Sequence, residues 1–163
     1  MNTPRILIVE DDPDGRASVL EAVQDAGMQA TAAASGKEGI AIFKEDAFDV
    51  VLSDLVLPDI DGVEVLISIG KLQADVPVMI MTAYGSVDSS VRAMKAGAYD
   101  YITKPLDLDD LQTKLKRAVE TSRLRQQVDS FRSAARTQFG ARAITAEDPQ
   151  STALLEQIKT LAA

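Results

Sequence analysis

Four short apolar runs in this chain each end in a polar residue that can do chemistry, and this pattern limits the fold more than any other feature. Ile6-Leu7-Ile8-Val9 ends in Glu10-Asp11-Asp12, Val50-Val51-Leu52-Ser53 in Asp54, and Val78-Met79-Ile80-Met81 in Thr82. Tyr101-Ile102-Thr103 ends in Lys104, with Pro105 directly behind it. A short apolar run between turn signals reads as a buried parallel strand. Ligands of an open parallel sheet gather at the carboxyl ends of its strands. Carboxylates, a hydroxyl and an ammonium should therefore converge on one edge, a set suited to a divalent metal and a phosphoryl group.

Between the runs the pattern turns helical. Strands are predicted near Arg5–Glu10, Gln29–Ala33, Asp49–Ser53, Pro77–Thr82 and Tyr99–Thr103. Helices are predicted near Asp14–Ala26, Ser35–Glu45, Val63–Lys71, Ser86–Ala96 and from Asp107 onward. Such alternation gives an α/β fold with a doubly wound, five-stranded parallel sheet and right-handed crossovers. The second strand, Gln29-Ala30-Thr31-Ala32-Ala33, is weak in propensity and rests on the alternation. Gly27 and Gly97 stand just past helices, where a left-handed residue is needed. Ser35 and Ser86 stand as N-caps, and Glu38 follows Ser35 at capping-box spacing. Asp59-Ile60-Asp61-Gly62 reads as a turn.

Composition narrows the chemistry. The 163 residues contain no histidine and no cysteine, which leaves carboxylates, hydroxyls and lysine to carry it. Oxygen ligands favour a hard cation, Mg²⁺ above all. Residues 1–120 carry 11 basic and 21 acidic side chains, and the remainder 6 and 4. An acidic main domain argues against direct nucleic-acid binding, and the arginines beyond residue 120 read as a solvated helix face. No run approaches the roughly 20 apolar residues of a membrane helix, and no signal peptide is visible, so a cytoplasmic protein without membrane contact is expected.

Adjacent carboxylates at Asp11 and Asp12 repel, which a cation between them would resolve; helix N-terminal charge is the plainer explanation for either alone. Asp54 ends the most apolar strand, where it could serve as metal ligand, nucleophile or turn residue. A carboxylate there can take a phosphoryl group as an acyl phosphate. Lys104 could pair with one phosphoryl oxygen and Thr82 donate to another. Each alone reads as a surface lysine or a strand-end threonine; their joint placement argues for the site. Tyr101 reads as a core or edge aromatic, or as a ring that changes rotamer when Thr82 moves. Pro105 allows a cis bond to Lys104.

Residues 5–120 resemble the receiver domain of a two-component response regulator. The matching features are Glu10-Asp11-Asp12, the segment from Asp54 through Pro58 to Gly62, Met81-Thr82-Ala83 and Lys104-Pro105. The stretches Thr82-Ala83-Tyr84-Gly85-Ser86 and Ala93-Met94-Lys95-Ala96-Gly97-Ala98-Tyr99-Asp100-Tyr101 resemble the NtrC subfamily, whose members activate transcription with sigma-54 RNA polymerase. The resemblance implies a CheY-like strand order of 2-1-3-4-5. It implies Asp54 as the phospho-acceptor and a phosphohistidine of a sensor histidine kinase as the donor. Asp12 and Asp54 would hold Mg²⁺ directly, with the Val56 carbonyl and Asp11 through water. Thr82 and Tyr101 would form a switch pair, and Lys104 would bind the phosphoryl group.

A Mg²⁺-dependent phosphohydrolase with an aspartate nucleophile would share this chemistry. It needs an acid/base carboxylate two residues after the nucleophile, where this chain has Val56. A nucleotide-binding domain is disfavoured because Glu10-Asp11-Asp12-Pro13 would repel a pyrophosphate.

The last helix has no breaker from Asp107 to about Arg136. Leu108, Leu111, Leu115 and Val119 form a stripe for the sheet. Leu124, Val128, Phe131 and Ala135 continue at a 4-3-4 spacing, little more than one heptad. We expect a receiver domain over 1–120, a helical linker over 121–138, and a homodimer through the 107–136 helix. Phe139-Gly140 and Asp148-Pro149 read as breakers, with a new helix over Ser151–Leu161. From Phe139 the tail resembles the entry into an AAA+ ATPase domain, cut short, or a disordered end over 139–163. The Walker A pattern is absent, so no ATP hydrolysis is expected of this piece. Sigma-54 polymerase and DNA would be met only through other domains.

Overall fold

The computed structural model describes residues 2–83 and 87–144. Ser86 as an N-cap, Tyr84-Gly85-Ser86, the breaker at Asp148-Pro149 and the helix over Ser151–Leu161 lie outside the described residues. The chain divides into two compact units, residues 1–125 and residues from 126 onward.

The first unit alternates strand and helix as the sequence predicts: β1 (Arg5–Val9), α1 (Pro13–Asp25), β2 (Gln29–Ala33), α2 (Gly36–Glu45), β3 (Val50–Asp54), α3 (Gly62–Leu72), β4 (Val78–Thr82), α4 (Val87–Lys95), β5 (Asp100–Thr103) and the start of α5 (Leu108–Ile144). All strands are parallel, in the order β2-β1-β3-β4-β5. The weak second strand forms over its whole predicted length because every residue from Gln29 to Ala33 is paired with β1. Pairing outweighs its poor intrinsic propensity.

Strand alternation sorts the core. Ile6, Ile8, Leu52, Met79 and Met81 pack on one face with Val19 and Val23 of α1 and Leu111 and Leu115 of α5. Leu7, Val9, Val51, Val78 and Ile80 pack on the other with Phe43 of α2, Val63, Leu66 and Ile69 of α3, and Ala93 of α4. Successive side chains of a strand point to opposite faces, so runs apolar at every position serve both layers. Each buried Leu or Ile contributes about 2 kcal/mol from area alone. Of the predicted α5 stripe, Leu111, Leu115 and Val119 are buried, whereas Leu108 at the helix start is half exposed.

The helix ends follow local chemistry. Gly27 and Gly97 have φ of 77° and 101°, values that favour glycine. Ser35 accepts from Glu38 N at 3.3 Å, but Glu38 reaches past the cap to Ala34 N at 2.7 Å. The complete capping box lies instead at α3, between Asp61 and Glu64.

One expectation is extended and another needs correction. Arg125, Arg132 and Arg136 lie on an exposed helix surface as expected, with Arg123 half-buried. Two of these arginines also reach distant backbone: Arg123 donates to the Asn2 carbonyl at 2.7 Å and Arg125 to the Asp75 carbonyl at 3.3 Å. These tie the end of the first unit's helical segment to loops at the amino ends of β1 and β4. Further along, Phe139-Gly140 does not break α5, which continues to Ile144. A glycine inside a helix costs only about 1 kcal/mol relative to alanine, and helix-forming neighbours can absorb that.

In the second unit the described residues are all helical, and the side chains from Gln126 to Phe139 are exposed. They include Val128, Phe131 and Phe139. Among the described residues no helix is long and apolar enough to cross a membrane.

Candidate functional site

The strand order turns around between β1 and its neighbours: α1 leads to β2 on one side of β1, and α2 leads to β3 on the other. A crevice opens at such a switch point, outside the carboxyl ends of the strands. Glu10 and Asp11 lie there at the end of β1, Asp54 closes β3, Thr82 closes β4, and Lys104 follows β5.

Lys104 is the centre of the arrangement. Its Nζ lies 2.6 Å from Asp54 Oδ2 and 2.5 Å from Glu10 Oε2. Its backbone N–H donates to the Thr82 carbonyl at 2.8 Å, which fixes the end of β5 against the end of β4. The Lys104-Pro105 bond is cis. Glu10 is fully buried, and Asp54 is 7% exposed. Burial pushes the Glu10 carboxyl above its ordinary range against the pull of Lys104, and the Asp54 charge adds to the rise. Burial also opposes the Lys104 ammonium, but hydrogen bonds to Asp54 and Glu10 outweigh it and raise its pKa. One ammonium thus serves two carboxylates, a set that leaves net negative charge in a poorly solvated place.

Asp54 is held from a second direction. Its Oδ1 accepts the Val56 N–H at 3.1 Å. Behind it, the loop from Leu55 to Gly62 is stapled at both ends. Gly62 N donates to the Leu55 carbonyl at 2.8 Å. A Cβ on Gly62 would lie 2.2 Å from the Asp54 carbonyl oxygen, so α3 starts against the phospho-acceptor candidate's own backbone. Asp59 accepts from Gly36 N, Lys37 N and Ile60 N at 2.8–2.9 Å. What desolvation Asp59 suffers opposes its charge, yet the three amides hold its pKa down at about 2.

Oxygens of Glu10, Asp11 and Asp54 all approach within 4.8 Å of one another. That is a hard, all-oxygen donor set with no nitrogen or sulfur, and it fits Mg²⁺. Asp12, expected as a direct ligand, is drawn elsewhere. It is the N-cap of α1, and its Oδ2 accepts from Gly15 N at 2.7 Å. Pro13 at the first helical position fixes that role, and Glu10, two residues before Asp12 and directly after β1, takes the place in the cluster. Pro after Asp is a helix-start signal, so this distinction was present in the sequence. Val56 is 72% exposed beside Asp54.

Thr82 is buried at the end of β4. Tyr101 lies on β5, opposite Ile80 of β4, and is 38% exposed. Lys114 of α5 covers its ring at 5.8 Å and donates to its carbonyl at 3.0 Å. Around it, Val87, Val91, Met94 and Thr103 line an open apolar groove of about 570 Å³. Arg92 of α4 pairs with Asp61, the cap of α3.

Comparison with known proteins agrees with this geometry. Residues 6–116 match the model of the response regulator receiver domain. The transcriptional regulatory protein ZraR of Klebsiella oxytoca is 38% identical over 158 residues, 96% of this chain and 34% of that protein. The regulatory protein AtoC of Escherichia coli is 33% identical over 135 residues, 83% of this chain and 29% of its own length. The chain thus spans about a third of the length of these two relatives. The crystal structure of NtrX from Brucella abortus superposes with a TM-score of 0.74 at 31% identity, covering 80% of this chain and 30% of NtrX.

Proposed function

The chain belongs to the response regulator receiver family, and on that premise we propose that Asp54 accepts a phosphoryl group from a phosphohistidine of a sensor histidine kinase. An Asp54 carboxylate oxygen attacks phosphorus, the P–N bond breaks, and the imidazole leaves with the electron pair. The observation that carries this reading is the single carboxylate at the end of β3, held by Lys104 at 2.6 Å within reach of Glu10 and Asp11.

Asp11 and Asp54, with the Val56 carbonyl, are the residues that would hold Mg²⁺, and Glu10 lies beside them. When bound, Mg²⁺ supplies neutralisation of the phosphoryl oxygens. Lys104 then transfers its hydrogen bond from Asp54 Oδ2 to a phosphoryl oxygen. The Thr82 hydroxyl donates to another, and the Tyr101 ring follows it inward. The exposed face of α4, β5 and α5 changes with the ring, so phosphorylation shifts a population between two surfaces. We read the output as a change in self-association through the 107–136 helix of a sigma-54-dependent activator of the NtrC subfamily. Contacts with sigma-54 polymerase and DNA would fall to other domains of such a protein.

Incubation with radiolabelled acetyl phosphate and Mg²⁺ tests the acceptor. The parent chain is expected to take up label that alkaline hydroxylamine releases, and Asp54→Asn to take up none. Full labelling of Asp54→Asn would overturn the assignment.

A further inference from the structure

Arg16 lies one turn into α1 and turns its guanidinium back onto the loop that precedes the helix. Its Nη1 donates to the Glu10 carbonyl at 2.8 Å and to the Asp11 carbonyl at 3.1 Å. One nitrogen thereby bridges two consecutive carbonyls of the acidic turn. Other groups of this turn are tied too. Glu10 N donates to the Ala33 carbonyl at 3.0 Å, Asp12 N to Glu10 Oε1 at 3.2 Å, and Arg16 N to the Asp12 carbonyl at 2.9 Å. Carbonyls of a turn between strand and helix have no ladder partner and need a donor. Here one side chain supplies it to both.

We infer that Arg16 is a positioning residue of the metal site. By holding the carbonyls on either side of the Asp11 Cα, it fixes the direction in which Asp11 presents its carboxylate to Asp54. This inference rests on the reading of Asp11 and Asp54 as Mg²⁺ ligands. Neither contact of Nη1 is to a carboxylate, so the guanidinium orders the main chain rather than neutralising the acids.

Two physical effects predict opposite signs. Coulomb repulsion between a guanidinium and a nearby divalent cation means that removing Arg16 tightens Mg²⁺ binding. Groups that orient metal ligands typically matter by 10- to 100-fold in affinity, so losing a positioning residue weakens it. Positioning is the stronger effect here, because both contacts lie in the ordinary hydrogen-bond range, at 2.8 and 3.1 Å, and they flank the Cα that carries the ligand.

The test uses the full chain, titrated with MgCl₂ by isothermal calorimetry and melted in EDTA by circular dichroism. Arg16→Met is expected to raise the Mg²⁺ Kd by about tenfold or more, while its melting point in EDTA stays within about 4 °C of the parent. Arg16→Lys, which keeps a charged donor, is expected to recover part of the affinity. Unchanged or tighter binding by Arg16→Met overturns the inference. If that variant fails to fold, Arg16→Gln is read by the same signs. Asp11→Asn separates the two levels. Parent-like Mg²⁺ affinity in Asp11→Asn overturns the metal site itself. Lost affinity there, combined with unchanged affinity in Arg16→Met, overturns only the positioning role.

Discussion

The strand-end site and the second half of α5 break the same rule in opposite directions. At the site, Glu10 and Asp54 are charged and buried. Along the helix, Val128, Phe131 and Phe139 are apolar and exposed. Buried charge without a partner costs several kcal/mol, so the site must be built around its counter-ion, and it is. Exposed apolar side chains on one helix cost the monomer almost nothing, so nothing in the monomer needs to hold them. The contrast teaches where stability and function separate. Substitutions at the site should disturb both, and substitutions on the helix only the second.

The largest effect is expected from Lys104→Met. It leaves Glu10 and Asp54 facing each other with no ammonium between them. Breaking a buried pair on one side costs about 3–5 kcal/mol, and the lower end applies because the Lys104 side chain keeps 23% of its surface exposed. Urea denaturation in EDTA should show a loss of about 3 kcal/mol. A loss under 1 kcal/mol would mean that the site is solvated like the helix, and the contrast would fail.

Gly62→Ala comes next. Its Cβ meets the Asp54 carbonyl oxygen, a backbone atom that cannot swing aside. Overpacking of this kind costs about 1–3 kcal/mol. The shift falls on the acceptor itself, so the rate of labelling by acetyl phosphate should drop further than stability alone explains. Parent-like labelling at reduced stability would show that the α3 start supports the fold and not the acceptor.

Asp59→Ala should cost about 1 kcal/mol, the usual net value of a lost hydrogen-bond acceptor, because the Gly36 and Lys37 amides at the start of α2 lose their partner. Its pH signature is specific. Asp59 has a folded pKa of about 2 against 3.8 ordinarily. Its contribution is therefore complete above the ordinary value and fades as pH falls from about 4 toward 2. The difference in stability between parent and Asp59→Ala should narrow over that window, by less than the shift alone implies, since the carboxylate is exposed and screened. A constant difference from pH 6 to pH 2 would show that the three amides do not discriminate between its charged and neutral forms.

What was legible in the sequence follows the same division. Asp54, Thr82 and Lys104 could be placed because each ends an apolar run, and a parallel sheet brings such ends together whatever the loops do. Asp11 was found by the same logic, but Asp12 was assigned with it although Pro13 marks it as a cap. The role of Asp59 was not legible, since its partners Gly36 and Lys37 lie more than twenty residues away and only the folded chain brings them near. The solvated face of Arg123 and Arg125 was legible, but their contacts were not, for the same reason: their acceptors are the carbonyls of Asn2 and Asp75, and backbone carbonyls carry no sequence signal. Gly140 was overweighted as a stop, because a single glycine at about 1 kcal/mol cannot end a helix without a cap motif behind it.

The smallest effect on the monomer is expected from Phe131→Ser, and it sharpens the comparison most. Phe131 is 76% exposed, so its removal should change unfolding free energy by no more than about 0.5 kcal/mol. Val128, Phe131 and Ala135 share one helix face, and an apolar face of this kind is stabilised by a second helix rather than by water. Burying one phenylalanine against a partner contributes about 2 kcal/mol, so its loss should weaken self-association more than tenfold. Sedimentation equilibrium, with and without beryllofluoride, measures that association in the resting and phosphoryl-mimic states. If Phe131→Ser associates like the parent in both, the exposed face is not the dimer contact. Dissociation in both states without a beryllofluoride response would keep the contact but uncouple it from Asp54. A response to beryllofluoride in the parent that Phe131→Ser abolishes would tie the exposed face to the buried charge.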